Sequence, residues 1–152
     1  MSPSTLRRET MFQPTKNRKW ILGVLAALWL CFIWGNSLLD GADSSSVSGF
    51  VGDLLAVILG PWVQEAAFLI RKLGHFTEFF LLGFLLAWNG KLWKKSAAYA
   101  PLGGLLASLT DETIQSFVPG RASMVTDVWI DFSGVLCGTV LLLWLHTRQR
   151  EN

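Results

Sequence analysis

Four apolar stretches, at 20–39, 73–89, 96–117 and 127–146, divide the chain, and each is close to the length of about 20 residues that a helix needs to cross a bilayer. Together they nearly exhaust 152 residues, so the expected fold is all-α: a polytopic membrane protein built as a four-helix transmembrane bundle, since helices satisfy their own backbone in lipid. Composition agrees. With 51% hydrophobic residues, 16% charged residues and a mean hydropathy of +0.41, the chain is too apolar for an ordinary water-soluble domain. The organisation expected is a basic tail at 1–19, a transmembrane domain at 20–146 and a short tail at 147–152.

Orientation follows from Lys and Arg, which favour the cytoplasmic side of short loops. Ten of the thirteen basic residues share one side: Arg7, Arg8, Lys16, Arg18 and Lys19, then Lys91, Lys94 and Lys95, then Arg148 and Arg150. Both termini are therefore expected in the cytoplasm. The same assignment leaves only Glu9 and Glu151 of the eleven acids inside. The first stretch is read as an uncleaved anchor, because it exceeds the apolar region of a typical signal peptide and no A-x-A-like site follows before Asp40.

Between the first two spans the chain is polar from Asn36 through 43–46, then apolar at 50–59 and again at 62–70, with Gly60 and Pro61 between them. Neither half reaches spanning length, so interfacial or re-entrant outer helices are expected here. Cys31 and Cys137 sit in apolar spans and read as small packing residues, with a disulfide as the alternative. Trp20, Trp88, Trp93 and Trp144 fall near cytoplasmic span ends and Trp62 in the outer segment, where indoles act as interfacial anchors. The basic tail lacks the interleaved aromatic and basic pattern of a nucleic-acid site, and no nucleic-acid partner is expected.

The candidate site lies at the outer ends of the spans, where His75, Glu78, Asp111, Glu112, Gln115, Arg121, Asp127 and Asp131 collect. A charge at membrane depth costs roughly 2.5 to 3.5 kcal/mol on insertion scales, so such residues line cavities, pair, or do chemistry. His75 and Glu78 stand at i and i+3, Asp111 and Gln115 at i and i+4, and Asp127 and Asp131 at i and i+4, so each pair shares one helix face. Gly134 and Gly138 continue the stripe of Asp131, and their small size lets a neighbouring backbone approach. Arg121 follows the Pro119-Gly120 turn and has the fork geometry to hold Asp111, Asp127 or a ligand phosphate.

These residues carry a resemblance. The stretches 71–79 (RKLGHFTEF) and 111–121 (DETIQSFVPGR), followed by Asp127, Asp131 and Gly134, are similar in order and spacing to the motifs of the VanZ-like family of bacterial membrane proteins, over about residues 20–145. The resemblance implies a small multi-pass protein of the bacterial cell membrane, in a family whose namesake is associated with low-level teicoplanin resistance. Carried over by position, its motif residues are His75, Asp111, Glu112, Gln115, Arg121, Asp127 and Gly134. Two positions depart from the family habit: Phe79, where Tyr is usual, and Asp131, where Asn is usual.

Three functional expectations follow. The first is an envelope protein that lowers glycopeptide susceptibility through an outward-facing polar cluster. The second is an enzyme acting on an outer-leaflet lipid or envelope precursor, with His75, Glu78, Asp111 and Glu112 as catalytic candidates and Gln115, Arg121, Asp127 and Asp131 as ligand-binding candidates. The third is a structural network that fixes helix register. No strict metal motif such as H-E-x-x-H occurs, and the sequence identifies neither a metal nor another cofactor. Expected partners are the lipid bilayer, an envelope lipid, cell-wall precursor or glycopeptide, and a second copy of the chain. A transporter fits poorly, because the inner halves of the spans are apolar and no internal repeat is evident.

Overall fold

The computed structural model describes residues 16–38, 63–119, 121 and 123–151. They form four helices and, among the described residues, no strand: α1 (Lys16–Ser37), α2 (Val63–Leu92), α3 (Tyr99–Gln115) and α4 (Val125–Glu151). Two of them, over Asn17–Ser37 and Val125–Gln149, are long and apolar enough to cross a membrane. α3 has only 17 residues, and the apolar run of α2 is diluted by His75, Glu78 and Asn89.

Contacts at the two ends of the bundle fix its antiparallel order. At one end the Asn89 amide donates to the Lys19 carbonyl at 3.1 Å, and Trp20 meets Trp93 edge to face at 5.7 Å. At the other, Ser37 closing α1 reaches Asp111 near the end of α3. The ends of α1 and α3 and the first halves of α2 and α4 thus come together. All the polar pairs singled out in the sequence lie at that end.

α2 and α4 make the most extensive contact. The reason is the glycine stripe: a Cβ on Gly134 would stand 2.5 Å from the Phe76 carbonyl oxygen, and one on Gly138 would collide with the Phe80 carbonyl. The two backbones touch where side chains would hold them apart. Beneath the polar end, Ile33, Phe79, Leu82, Ala107 and Val135 form the apolar core, flanked by Trp29, Trp34 and Phe132. A second cluster of Ala87, Ala100 and Leu142 fills the opposite end.

The distribution of polarity is inverted relative to a water-soluble bundle. Asp111, Gln115 and Asp131 are 0% exposed, whereas Leu28 is 61% and Leu106 66% exposed. Large apolar side chains cover the outside of all four helices. Such a surface is compatible with a membrane protein, for which lipid replaces water at the periphery.

Two expectations for the outer segment fare differently. Residues 50–59, expected as an interfacial or re-entrant helix, lie outside the described residues, as do Trp62 and the basic tail at 1–15. Residues 63–70, expected to belong to a separate outer helix, are instead the opening turns of α2, which runs 30 residues, about 45 Å, without interruption. Arg71 and Lys72 stand between this stretch and the one at 73–89. They carry good helix propensity, and nothing between Ile70 and Leu73 breaks the hydrogen-bond ladder. Cys31 and Cys137 are free thiols on the outside of the bundle, so no disulfide joins them.

The turn after α2 shows how the second and third helices are joined. Lys95 N–H donates to the Gly90 carbonyl at 2.8 Å and Lys94 N–H to that of Lys91 at 3.2 Å, with Lys94 in the left-handed region at φ 54°. This paired closure satisfies the last carbonyls of α2 and turns the chain toward α3.

Candidate functional site

Each helix brings its polar residues inward as a continuation of its apolar stripe. On α2 the buried series is His75, Phe79 and Leu82; on α3 it is Gly104, Ser108, Asp111 and Gln115; on α4 it is Asp127, Asp131, Gly134 and Gly138. Helical periodicity alone therefore turns the polar groups toward one another.

At the centre stand His75, Asp111 and Asp131, one from each of α2, α3 and α4. His75 Nδ1 lies 3.4 Å from Asp131 Oδ1 and 4.0 Å from Asp111 Oδ2. The first distance is within ion-pair reach, yet the alignment makes no hydrogen bond, and both His75 Nδ1 and Asp131 Oδ1 are buried without a hydrogen-bond partner. The other carboxylate oxygens are held: Ser37 donates to Asp111 Oδ1 at 2.6 Å, Gln115 Nε2 to Asp111 Oδ2 at 2.8 Å, and Ser108 to Asp131 Oδ2 at 3.0 Å. Among the described residues these three converge closely enough for their donor atoms to share a metal ion.

Gln115 ties three helices together. Its amide nitrogen donates to Asp111 and, at 3.3 Å, to Ser37 Oγ, while its carbonyl oxygen accepts from Arg71 Nη2 at 3.4 Å. Beside the central trio a cavity of about 150 Å³ is lined by Asn36, Arg71, Gly74, His75, Glu78 and Arg121. Glu78 Oε1 accepts from Asn36 Nδ2 at 3.3 Å, and Arg121 Nη2 donates to the Asn36 carbonyl at 3.1 Å. Burial, and next the nearby Arg71 guanidinium, lower the pKa of Arg121, opposed by Asp111, Glu78 and Glu112. An arginine so placed still carries its full charge near neutral pH.

Two candidates lie to the side of this centre. Asp127 forms an ion pair with Lys72, with Thr126 Oγ1 at 3.4 Å. Glu112 Oε2 accepts from Ser123 Oγ and from the Met124 N–H, both at 2.9 Å, which anchors the chain just ahead of α4. The first joins α2 to α4 and the second fixes where α4 begins, while Glu112 Oε1 is buried without a hydrogen-bond partner.

The structure thus brings His75, Asp111, Gln115 and Asp131 into one network, sets Glu78 and Arg121 on the adjoining cavity, and gives Asp127 and Glu112 partners outside the centre. Sequence reasoning missed Ser37, Arg71, Lys72 and Ser108 as members. Ser108 was legible in principle, since it precedes Asp111 by three residues on the same face. Ser37 and Lys72 depend on contacts between helices that no local pattern reports.

A family model described as VanZ/LLP1 matches residues 22–146, which takes in all four helices and every candidate residue. No curated protein and no solved structure matches the chain. By the extent of the family match, the chain belongs to the VanZ/LLP1 family.

Proposed function

We propose that the protein is a four-span component of the bacterial cell envelope whose polar end faces outward and holds an anionic group of an envelope lipid or cell-wall precursor, lowering susceptibility to teicoplanin-type glycopeptides. The observation that carries this reading is the cavity that Arg71 and Arg121 both line beside buried His75. Two guanidinium groups on a pocket of about 150 Å³ suit one phosphate or carboxylate, which each can hold by two parallel hydrogen bonds. The Lys and Arg distribution supports an outward position, because Lys91, Lys94 and Lys95 lie at the opposite end of the bundle.

A second reading, an enzyme acting on the same lipid or precursor, draws on His75 and Glu78 lining that cavity with the two arginines. A base and an acid beside an anion clamp are the parts such chemistry needs. The binding reading is preferred because it requires only the two cations and the pocket. Teicoplanin and vancomycin susceptibility of a sensitive Gram-positive host tests it, with wild type, Arg71→Lys and Arg121→Lys compared at equal membrane abundance. Lysine keeps the charge but loses the fork, so tolerance conferred by wild type should fall in both variants. Equal tolerance in all three, or none with wild type, would contradict the proposal.

A further inference from the structure

We infer that His75, Asp111 and Asp131 bind a divalent transition-metal ion, zinc or manganese. The inference goes beyond the proposed function, since it concerns the central trio and holds whatever anion the neighbouring cavity takes.

The donor atoms of the three residues all lie within 4.8 Å of one another, and His75 Nδ1 is 3.4 Å from Asp131 Oδ1 and 4.0 Å from Asp111 Oδ2. Ligands held at about 2.0–2.2 Å around one ion stand roughly 3 to 4 Å apart, so a small side-chain rotation completes the set. Three separate helices deliver the donors, and the close α2–α4 backbone contact at Gly134 keeps two of those helices in register.

His75 is 8% exposed and Asp131 0%, yet His75 Nδ1 and Asp131 Oδ1 face each other with no hydrogen-bond partner. Buried polar atoms in folded proteins are overwhelmingly paired, and two such atoms aimed at one point call for a shared partner. With its proton on Nε2, His75 offers a lone pair at Nδ1 beside that of Asp131 Oδ1, and one cation bound between them satisfies both.

The surrounding hydrogen bonds fit this role. Ser37 and Gln115 hold Asp111, and Ser108 holds the far oxygen of Asp131, so each carboxylate is oriented by neutral donors while its lone pairs remain for a metal. Of the two cations at this end of α2, Lys72 is engaged with Asp127 and Arg71 donates to Gln115. Asp111 and Asp131 are buried side by side, and a cation bound between them offsets the cost of that burial. One imidazole with two carboxylates favours zinc or manganese over calcium and magnesium, which prefer oxygen alone.

The test uses full-length protein in phosphatidylcholine nanodiscs, stripped with EDTA and titrated calorimetrically with Zn2+ and with Mn2+. Electron spin-echo modulation of the Mn2+-loaded sample then reports whether a ligand nitrogen is bound. The chain has 2 histidines, and His146 lies about 22 Å along α4 from Asp131. His146→Gln thus leaves His75 as the only imidazole without touching the site. Expected are saturable binding of one ion per chain, nitrogen modulation that persists in His146→Gln and disappears in His75→Gln, and affinity weakened by about 10-fold or more in Asp131→Asn. Absence of saturable binding, or of nitrogen modulation in His146→Gln, would overturn the inference, as would unchanged affinity in folded Asp131→Asn.

Discussion

Replacing Lys72 by Met removes the cation opposite Asp127 and leaves a carboxylate whose side chain is 2% exposed. Stripping one partner from a buried ion pair costs about 3–5 kcal/mol, because the remaining charge keeps its desolvation penalty and loses its compensation. The reverse change should be milder. In Asp127→Asn the Lys72 ammonium, on a side chain 13% exposed, can turn along its flexible stem toward the bundle edge. That variant should lose about 1 kcal/mol, the worth of an ordinary hydrogen bond. Combining Lys72→Met with Asp127→Leu removes both charges and should recover most of the single-mutant loss, with a coupling of about 2 kcal/mol or more. Reversible unfolding in mixed detergent micelles, titrated with dodecyl sulfate and followed by helical circular dichroism, measures all three. Equal losses in the two single variants, or a loss below about 1 kcal/mol for Lys72→Met, would show that the pair behaves as an exposed salt bridge and would refute the reasoning.

Three further expectations rest on other contacts. Gly138→Ala puts a methyl group against the Phe80 carbonyl and should cost about 1–3 kcal/mol by the same unfolding assay, since a packed helix pair separates only as a whole. Ser108→Ala leaves Asp131 Oδ2 unheld and should weaken Zn2+ binding about 10-fold in calorimetry without moving the unfolding midpoint comparably. Glu112→Gln keeps an acceptor for Ser123 and Met124, so stability should change by less than about 1 kcal/mol and glycopeptide tolerance should stay at the wild-type level, unlike in Arg121→Lys.

Much of this arrangement was legible in the sequence because it follows from helical spacing. Asp111 with Gln115, and Asp127 with Asp131, share faces by arithmetic, and Gly134 with Gly138 announces a close helix contact. The structure places those faces together and sets the glycines on the backbone of α2. What escaped depends on register between helices. Nothing local tells that Lys72 reaches Asp127 across the α2–α4 contact, or that Ser37 at the end of α1 meets Asp111. The partners of Glu112, a catalytic candidate in the sequence, are set by the path of the chain back into α4, which brings Ser123 and Met124 onto its carboxylate. The stretch expected at 62–70 and the span expected at 73–89 share one unbroken helix from Val63 to Leu92, because Arg71 and Lys72 between them are good helix formers.

The outward position of the polar end is the claim on which the envelope reading depends, and cysteine accessibility in intact cells tests it most directly. With Cys31 and Cys137 replaced by Ser, Phe117→Cys introduces a thiol at a position 82% exposed beside the polar end, and Lys94→Cys one in the turn at the opposite end. A membrane-impermeant maleimide should label the first in intact cells and the second only after permeabilisation. Labelling of Lys94→Cys in intact cells, with Phe117→Cys protected until the membrane is opened, would place the arginine-lined cavity in the cytoplasm and contradict the account.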